Sequence, residues 1–247
     1  MLINFNDLLF LSNKVNGIIH IGAHELEELP DYVKGNIKKI IWIEANPEKY
    51  NFIEKRLQRF ENMTLGKFAA GSKYDSLYLN LANNGQSSSL LEFGTHKKNY
   101  PDINYFSKIV VDTKPLDKWL GENFEDKHFY NFINIDIQGY ELEALRGMPN
   151  QLKIAEYVYL EVNFEEVYKN CSKLVDIDLF LSNFGFVRVG MRNTDKGWGD
   201  AIYAKNNIFI SKLYYLFLPF IRLIRIPIKI SRFFIKILTK KIINFYK

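Results

Sequence analysis

Two short apolar runs about twenty residues apart constrain this chain most. The first, GIIHIGAH over 17–24, turns at Gly22; the second, IIWIEANP over 40–47, stops at Glu44. A strand that ends in a glycine turn lets backbone N–H groups face a ligand, and an acid at the tip of the next strand can accept hydrogen bonds from a ribose diol. The pair predicts a site for an adenosine-containing cofactor. Dinucleotides need the three glycines of G-x-G-x-x-G, so that backbone can approach the pyrophosphate at several points. Here His20 stands two before Gly22 and no glycine follows before Gly35. A phosphate-free cofactor is served by one glycine, and an ordinary strand-to-helix turn remains the plain alternative.

A chain of 247 residues can bury one good core, and 47% hydrophobic content argues for a packed globule. The single cysteine, Cys171, excludes an internal disulfide, which fits a reducing compartment. The N-terminus has no basic leader before an uninterrupted apolar run, so no signal peptide is expected. Leu2, Phe5, Leu8, Leu9 and Phe10 suggest a short covering helix.

The apolar pattern predicts strands at 17–22, 39–44, 63–69, 76–81, 131–137, 157–162, 185–191 and 200–204. Helices are expected at 25–35, 47–60, 141–147 and 173–183. Continuous apolar strands alternating with helices imply a mostly parallel sheet with helices on both faces. Ligands of such sheets bind beyond the carboxyl ends of the strands, where Glu44, Asp136 and Glu161 all stand. Residues 83–107 carry Gly, Ser and Asn punctuation and little periodicity, and are expected to form a long functional loop or a surface excursion.

Six segments together resemble the FkbM family of S-adenosylmethionine-dependent methyltransferases. They are HIGAHELEELPDY at 20–32, WIEANPEKY at 42–50, SSSLL at 87–91, VVDTKPLDKWL at 110–120, NIDIQGYELEALRGM at 134–148 and YLEVNFEEVYKNC at 159–171. The match runs from about residue 15 to 204, and the order and spacing of the segments carry it. The resemblance implies a Rossmann-like class I methyltransferase with a mostly parallel seven-stranded sheet, occupying 1–206. By that likeness His20, Gly22 and Ala23 form the first cofactor turn, Glu44 holds the ribose, and Ala45 and Asn46 lie beside it. Ala69 and Ala70 flank the adenine, and Ser87, Ser88 and Ser89 lie near the cofactor. Asp136, Gln138, Gly139 and Glu141 form the fourth-strand motif near the transferred methyl. Two departures stand out: His24, Glu25 and Leu26 follow a turn that is richer in glycine in many relatives, and Gln138 replaces an acid. An amide can act neither as base nor as a strong metal ligand at neutral pH, which weakens a Mg²⁺ requirement, while Asp136 and Glu161 leave divalent metal open.

Methyl transfer from a sulfonium is an in-line displacement, so alignment matters most and a hydroxyl acceptor needs a base. Asp136 is the preferred base, with Glu161, His24 and His20 as other candidates. Each has a plainer role open to it: Asp136 as a cofactor positioner, Glu161 as a helix cap, His20 as a core residue, and Glu141 as a helix N-terminal acid. Trp198 and Asp200, in a W-G-D string that family relatives share, suit a sugar ring, or Trp198 simply packs. Asn163 and Tyr168 follow the fifth parallel strand and are assigned to the same acceptor cleft. Relatives that methylate sugar hydroxyls make a sugar or glycan the expected acceptor. The alternatives are a small metabolite, lipid or protein side chain, or a non-catalytic adaptor that keeps the fold. A nicotinamide-dependent oxidoreductase is disfavoured by the missing glycines.

The net charge of +5 conceals an asymmetry. Residues 201–247 hold ten of the 33 basic residues and no acid, so the remainder is acidic overall, with 23 basic against 28 acidic residues. Basic residues at 222, 225, 229, 232, 236 and 240 form one stripe on a helix, with Ile, Leu and Phe around it. The longest uncharged stretch, 213–221, is too short to span a bilayer, which takes about twenty residues. The tail, 207–247, is therefore expected to be an amphipathic helix on an anionic membrane surface, broken near Pro219 and Pro227. Packing on the domain or dimerisation is the alternative, and nucleic-acid binding is a lesser one. The expected location is cytoplasmic and peripheral to the membrane.

Overall fold

The structure is a computed structural model that describes residues 2, 3, 5, 15–37, 39–125 and 129–205. Its core is a seven-stranded sheet of order β3-β2-β1-β7-β8-β10-β9. The strands are β1 (Gly17–Ile21), β2 (Lys39–Glu44), β3 (Met63–Lys67), β7 (Tyr130–Ile135), β8 (Tyr157–Asn163), β9 (Phe186–Asn193) and β10 (Trp198–Lys205). β1 pairs in parallel with both β2 and β7, whereas β10 runs antiparallel between β8 and β9. Strand order therefore reverses at β1 and β7, and a sheet of this kind opens its ligand crevice at that switch point.

β1, β2, β7 and β8 are largely apolar because both their faces are covered. Ile19, Ile21, Ile41 and Ile43 pack into one core, and Ile18, Ile40 and Trp42 into the other. That is the period-two alternation of a strand buried on two sides. The first layer packs α4 (Leu116–Asn123), α5 (Glu141–Arg146), α6 (Pro149–Ile154) and α7 (Leu174–Ser182) on one face. On the other lie α1 (Leu29–Lys34) and α2 (Pro47–Leu57), with Phe5 buried among them. A four-residue helix, α3 (His96–Asn99), lies in the connection between two strands of the small sheet described next.

Several expectations are corrected. The stretch 63–69 is split: β3 ends at Lys67, and β4 (Ala69–Ala70) leaves for a second sheet of order β4-β6-β5. That sheet contains β5 (Asp75–Ala82) and β6 (Tyr105–Lys114), and β6 is absent from the sequence-based strands. Most of β6 is exposed, so selection for an apolar face leaves little trace in its sequence. The helix expected over 25–35 begins only at Leu29, with Pro30 in its first turn; His24 and Leu26 before it take positive φ. Among the described residues no helix is long and apolar enough to cross a membrane. The tail expectation, and most of the proposed N-terminal helix, lie outside the described residues.

Candidate active site

Two cavities meet over the switch point. The first encloses about 660 Å³ of empty space and the second about 1200 Å³. Both are bordered by Gly22, His24, Gln86, Asp136 and Gln138.

The floor is set by Gly22. Its φ is 98°, and a Cβ there would stand 1.9 Å from the Asp136 carbonyl oxygen, so only glycine lets β1 and β7 end this close together. The amides of this turn are spent within the protein: Gly22 and Ala23 both donate to the Ile43 carbonyl, at 2.9 and 3.0 Å. His24 donates its amide to Glu44 Oε2 at 2.8 Å, and Asn46 donates to Oε1 at 2.7 Å. The turn therefore presents the Glu44 carboxylate to the first cavity, not a row of free N–H groups. Burial raises the proton affinity of Glu44. Asn46 caps α2 by accepting from the Glu48 amide at 3.0 Å. Ile43, Phe68, Ala69, Ala70, Leu79 and Leu90 supply apolar walls around that one acid. A nucleoside with an apolar base and a polar diol fits this donor set. His24 adds a buried Nε2 with no hydrogen-bond partner, while its Nδ1 lies 2.6 Å from Glu27 Oε1 and that bond raises its pKa.

His20 lies below the turn. Nδ1 pairs with Tyr32 Oη at 2.9 Å and Nε2 with the Gly22 carbonyl at 3.1 Å, and burial lowers its pKa. Asn134, which carried no site assignment, completes this network by donating to Tyr32 Oη at 2.7 Å. His20 thus props up the turn, as a satisfied core residue does.

The three serines build the wall. Ser88 Oγ donates to Gly85 O at 3.0 Å, and Ser87 Oγ lies 3.2 Å from His96 Nε2. Ser89 Oγ donates to the Gln138 carbonyl at 2.7 Å, fastening residues 83–95 to the β7 turn. Gly94 and His96 then donate their amides to Val167 O, closing the loop over the second cavity.

At the joint between cavities, Gln138 holds positive φ and its amide serves three partners. Nε2 donates to Asp136 Oδ1 at 2.7 Å and to Glu161 Oε2 at 3.1 Å, and Oε1 accepts from the Tyr168 hydroxyl. The amide thus does what a glutamate could not: it bridges two carboxyls. Gly139 also holds positive φ, and a Cβ there would crowd Tyr168 and Cys171. Glu161 is only 6% exposed, and burial followed by the neighbouring Asp136 charge raises its pKa well above the ordinary range. Asp136 itself is exposed in the cleft.

Glu141 borders neither cavity. It is 1% exposed, accepts the Gly139 amide at 2.9 Å and the Ile137 amide at 3.3 Å, and burial pushes its pKa up to about 7. It shapes the turn from below instead of meeting an acceptor. Asp200 lies opposite Glu161 across β8 and β10, accepts from the Tyr159 hydroxyl and the Leu2 amide, and has a burial-raised pKa. Tyr168 and Trp198 line the second cavity with it, and Trp198 Nε1 donates to Tyr100 Oη at 3.3 Å. Asn163 is buried at the end of β8 but borders neither cavity. Residues missed from sequence are Asn84, Gln86, His96 and Tyr100, all on the unpatterned loop, and Lys49 on α2. Among the described residues, no group of three or more His, Cys, Asp or Glu side chains is placed to hold a metal ion.

A switch-point crevice with an acid at the second strand, on a seven-stranded sheet with one antiparallel strand, defines the Rossmann-like methyltransferase class. The methyltransferase FkbM domain matches residues 20–188, and the chain belongs to that family. It is accordingly an S-adenosylmethionine-dependent methyltransferase. No curated protein matches the chain. Among solved structures it is similar to M. capricolum TrmK in complex with S-adenosyl-homocysteine, with 12% identity, 97% of this chain and 95% of that one covered, and a TM-score of 0.46. It is also similar to magnesium protoporphyrin IX methyltransferase (ChlM) from Synechocystis PCC 6803, with 11% identity, 81% and 75% covered, and a TM-score of 0.45.

Proposed function

We propose that the protein methylates a hydroxyl of a sugar or glycan at the cytoplasmic face of a membrane. The observation that carries the transfer geometry is the shared border of the two cavities: an apolar one ending in Glu44 and a polar one lined by aromatic and acidic side chains. S-adenosylmethionine, when bound, supplies an electrophilic sulfonium methyl. The first cavity suits it: Glu44 would take the ribose diol, and Ala69, Ala70 and Leu79 the adenine. In the second cavity Trp198 offers a flat face to a sugar ring. Asp136, at the border, would hold the acceptor hydroxyl and take its proton. Gln138 holds the Asp136 carboxylate in place, and the loop at 83–95 narrows the cleft against water.

The membrane part of the proposal rests on the basic stripe of the tail, whose attraction to anionic lipid is worth roughly 1 kcal/mol per basic residue near the surface. Calorimetry with S-adenosylhomocysteine tests the cofactor site. The intact protein should bind with micromolar affinity, and Glu44→Ala should weaken binding by at least about tenfold, the loss of one buried charge-assisted hydrogen bond pair. Absence of binding to the folded protein would overturn the proposal and favour a non-catalytic adaptor.

A further inference from the structure

The second cavity has a one-sided charge. Glu27, Glu28, Asp136, Glu161 and Asp200 all border it, and no Lys or Arg does among the described residues. Three histidines also border it, and they offset only Glu27. His24 is matched by Glu27, and burial lowers the pKa of both His20 and His96.

Glu161 is also short of donors. The Glu161 carboxyl is nine-tenths buried, and its one hydrogen-bond donor among the described residues is the Gln138 amide, which Asp136 shares. Buried polar groups are ordinarily paired, so a carboxyl with one shared donor at a cavity wall marks a place for a ligand donor. His96 is 5% exposed, its Nε2 lies 3.2 Å from Ser87 Oγ, and its ring stacks on Phe93 at 4.4 Å between centroids. Trp198, Tyr100 and Tyr168 supply aromatic faces to the same cavity.

We infer that the acceptor carries a protonated amine beside its hydroxylated ring, an amino sugar unit of a glycan, with the ammonium held by Glu161. The inference rests on the methyltransferase reading above and names the acceptor that this cavity would select. Three physical facts favour a cation. An ammonium supplies three donors to a carboxyl that has one. It offsets the repulsion that Asp136 and Asp200 exert on Glu161. An aromatic face beside a cation adds a further attraction. An anionic acceptor, phosphorylated or carboxylated, meets uncompensated repulsion in the same place.

The test is calorimetry on the full chain, first with S-adenosylhomocysteine alone and then, with it bound, against three tetramers at pH 7. These are glucosamine, its fully N-acetylated counterpart and galacturonic acid. The glucosamine tetramer should bind at least about tenfold more tightly than the N-acetylated one, and the uronate should not bind. In Glu161→Gln that preference should shrink to within about threefold, with S-adenosylhomocysteine binding reporting that the variant is folded. Equal or tighter binding of the N-acetylated or uronate tetramer overturns the inference, as does failure of all three to bind. These results leave the cofactor reading standing. Failure of S-adenosylhomocysteine itself overturns that reading, and this inference with it.

Discussion

At the scale of single residues, three carboxyls near the carboxyl ends of neighbouring strands have three different surroundings. Asp136 is exposed at the joint of the cavities, which suits the base proposed above. Asp136→Asn keeps the shape and loses the base, and turnover should fall by about 10²–10⁴-fold while S-adenosylhomocysteine affinity holds within about threefold. Single-turnover kinetics beside calorimetry checks this, and unchanged turnover removes Asp136 from the mechanism. Glu141 is buried beneath the turn with its pKa pushed up to about 7. Because the folded value lies above the unfolded value of 4.5, the folded protein retains a proton between these limits that the unfolded chain has lost. This residue's contribution is therefore most favourable below about pH 4.5 and declines as pH rises to about 7, by up to roughly 3 kcal/mol. Urea unfolding at pH 5 and pH 8 should show a smaller decline in Glu141→Gln than in the parent. An equal decline in both would place the titration elsewhere. Glu161, more strongly shifted, faces the acceptor cavity.

At the scale of elements, the serine stretch acts as a fastener. Ser89 joins the small-sheet connection to the Gln138 carbonyl and also accepts the Leu91 amide, so one hydroxyl ties two walls of the cleft. Ser89→Ala should cost about 1 kcal/mol of stability. It should raise the acceptor KM several-fold with little change in kcat, since the wall loosens while the base stays in place. Steady-state kinetics separates these, and a loss confined to kcat would argue against a fastening role. The central parallel strands were legible from sequence because both faces are buried and the runs are mostly apolar. β6 was not, because most of its side chains are exposed and its partner strands lie far along the chain. The same holds for α4, a short helix held in place by Trp119 and Leu120 packing on the sheet, with no sequence pattern long enough to announce it.

At the scale of the whole molecule, charge and site separate along the chain. The acidic body holds the cleft, and the basic residues concentrate in the tail. If the tail is a membrane-surface anchor, ending the chain at residue 207 should abolish binding to anionic vesicles and leave S-adenosylhomocysteine affinity unchanged. Sedimentation with phosphatidylserine liposomes measures the first and calorimetry the second; equal vesicle binding by both forms would discard the anchor. The sequence by itself determined the class of fold, the switch-point glycine and the acid at the second strand. These are local: a strand buried on two faces is mostly apolar, and a strand that ends in a positive-φ turn favours glycine. Only the tertiary structure decided which polar residues share a cavity. It drew His20 and Glu141 inward as supports, brought His96 and Tyr100 from an unpatterned loop to face Trp198, and set Gln138 between two acids. Such meetings are made by side chains tens of residues apart, and no periodicity along the chain encodes them.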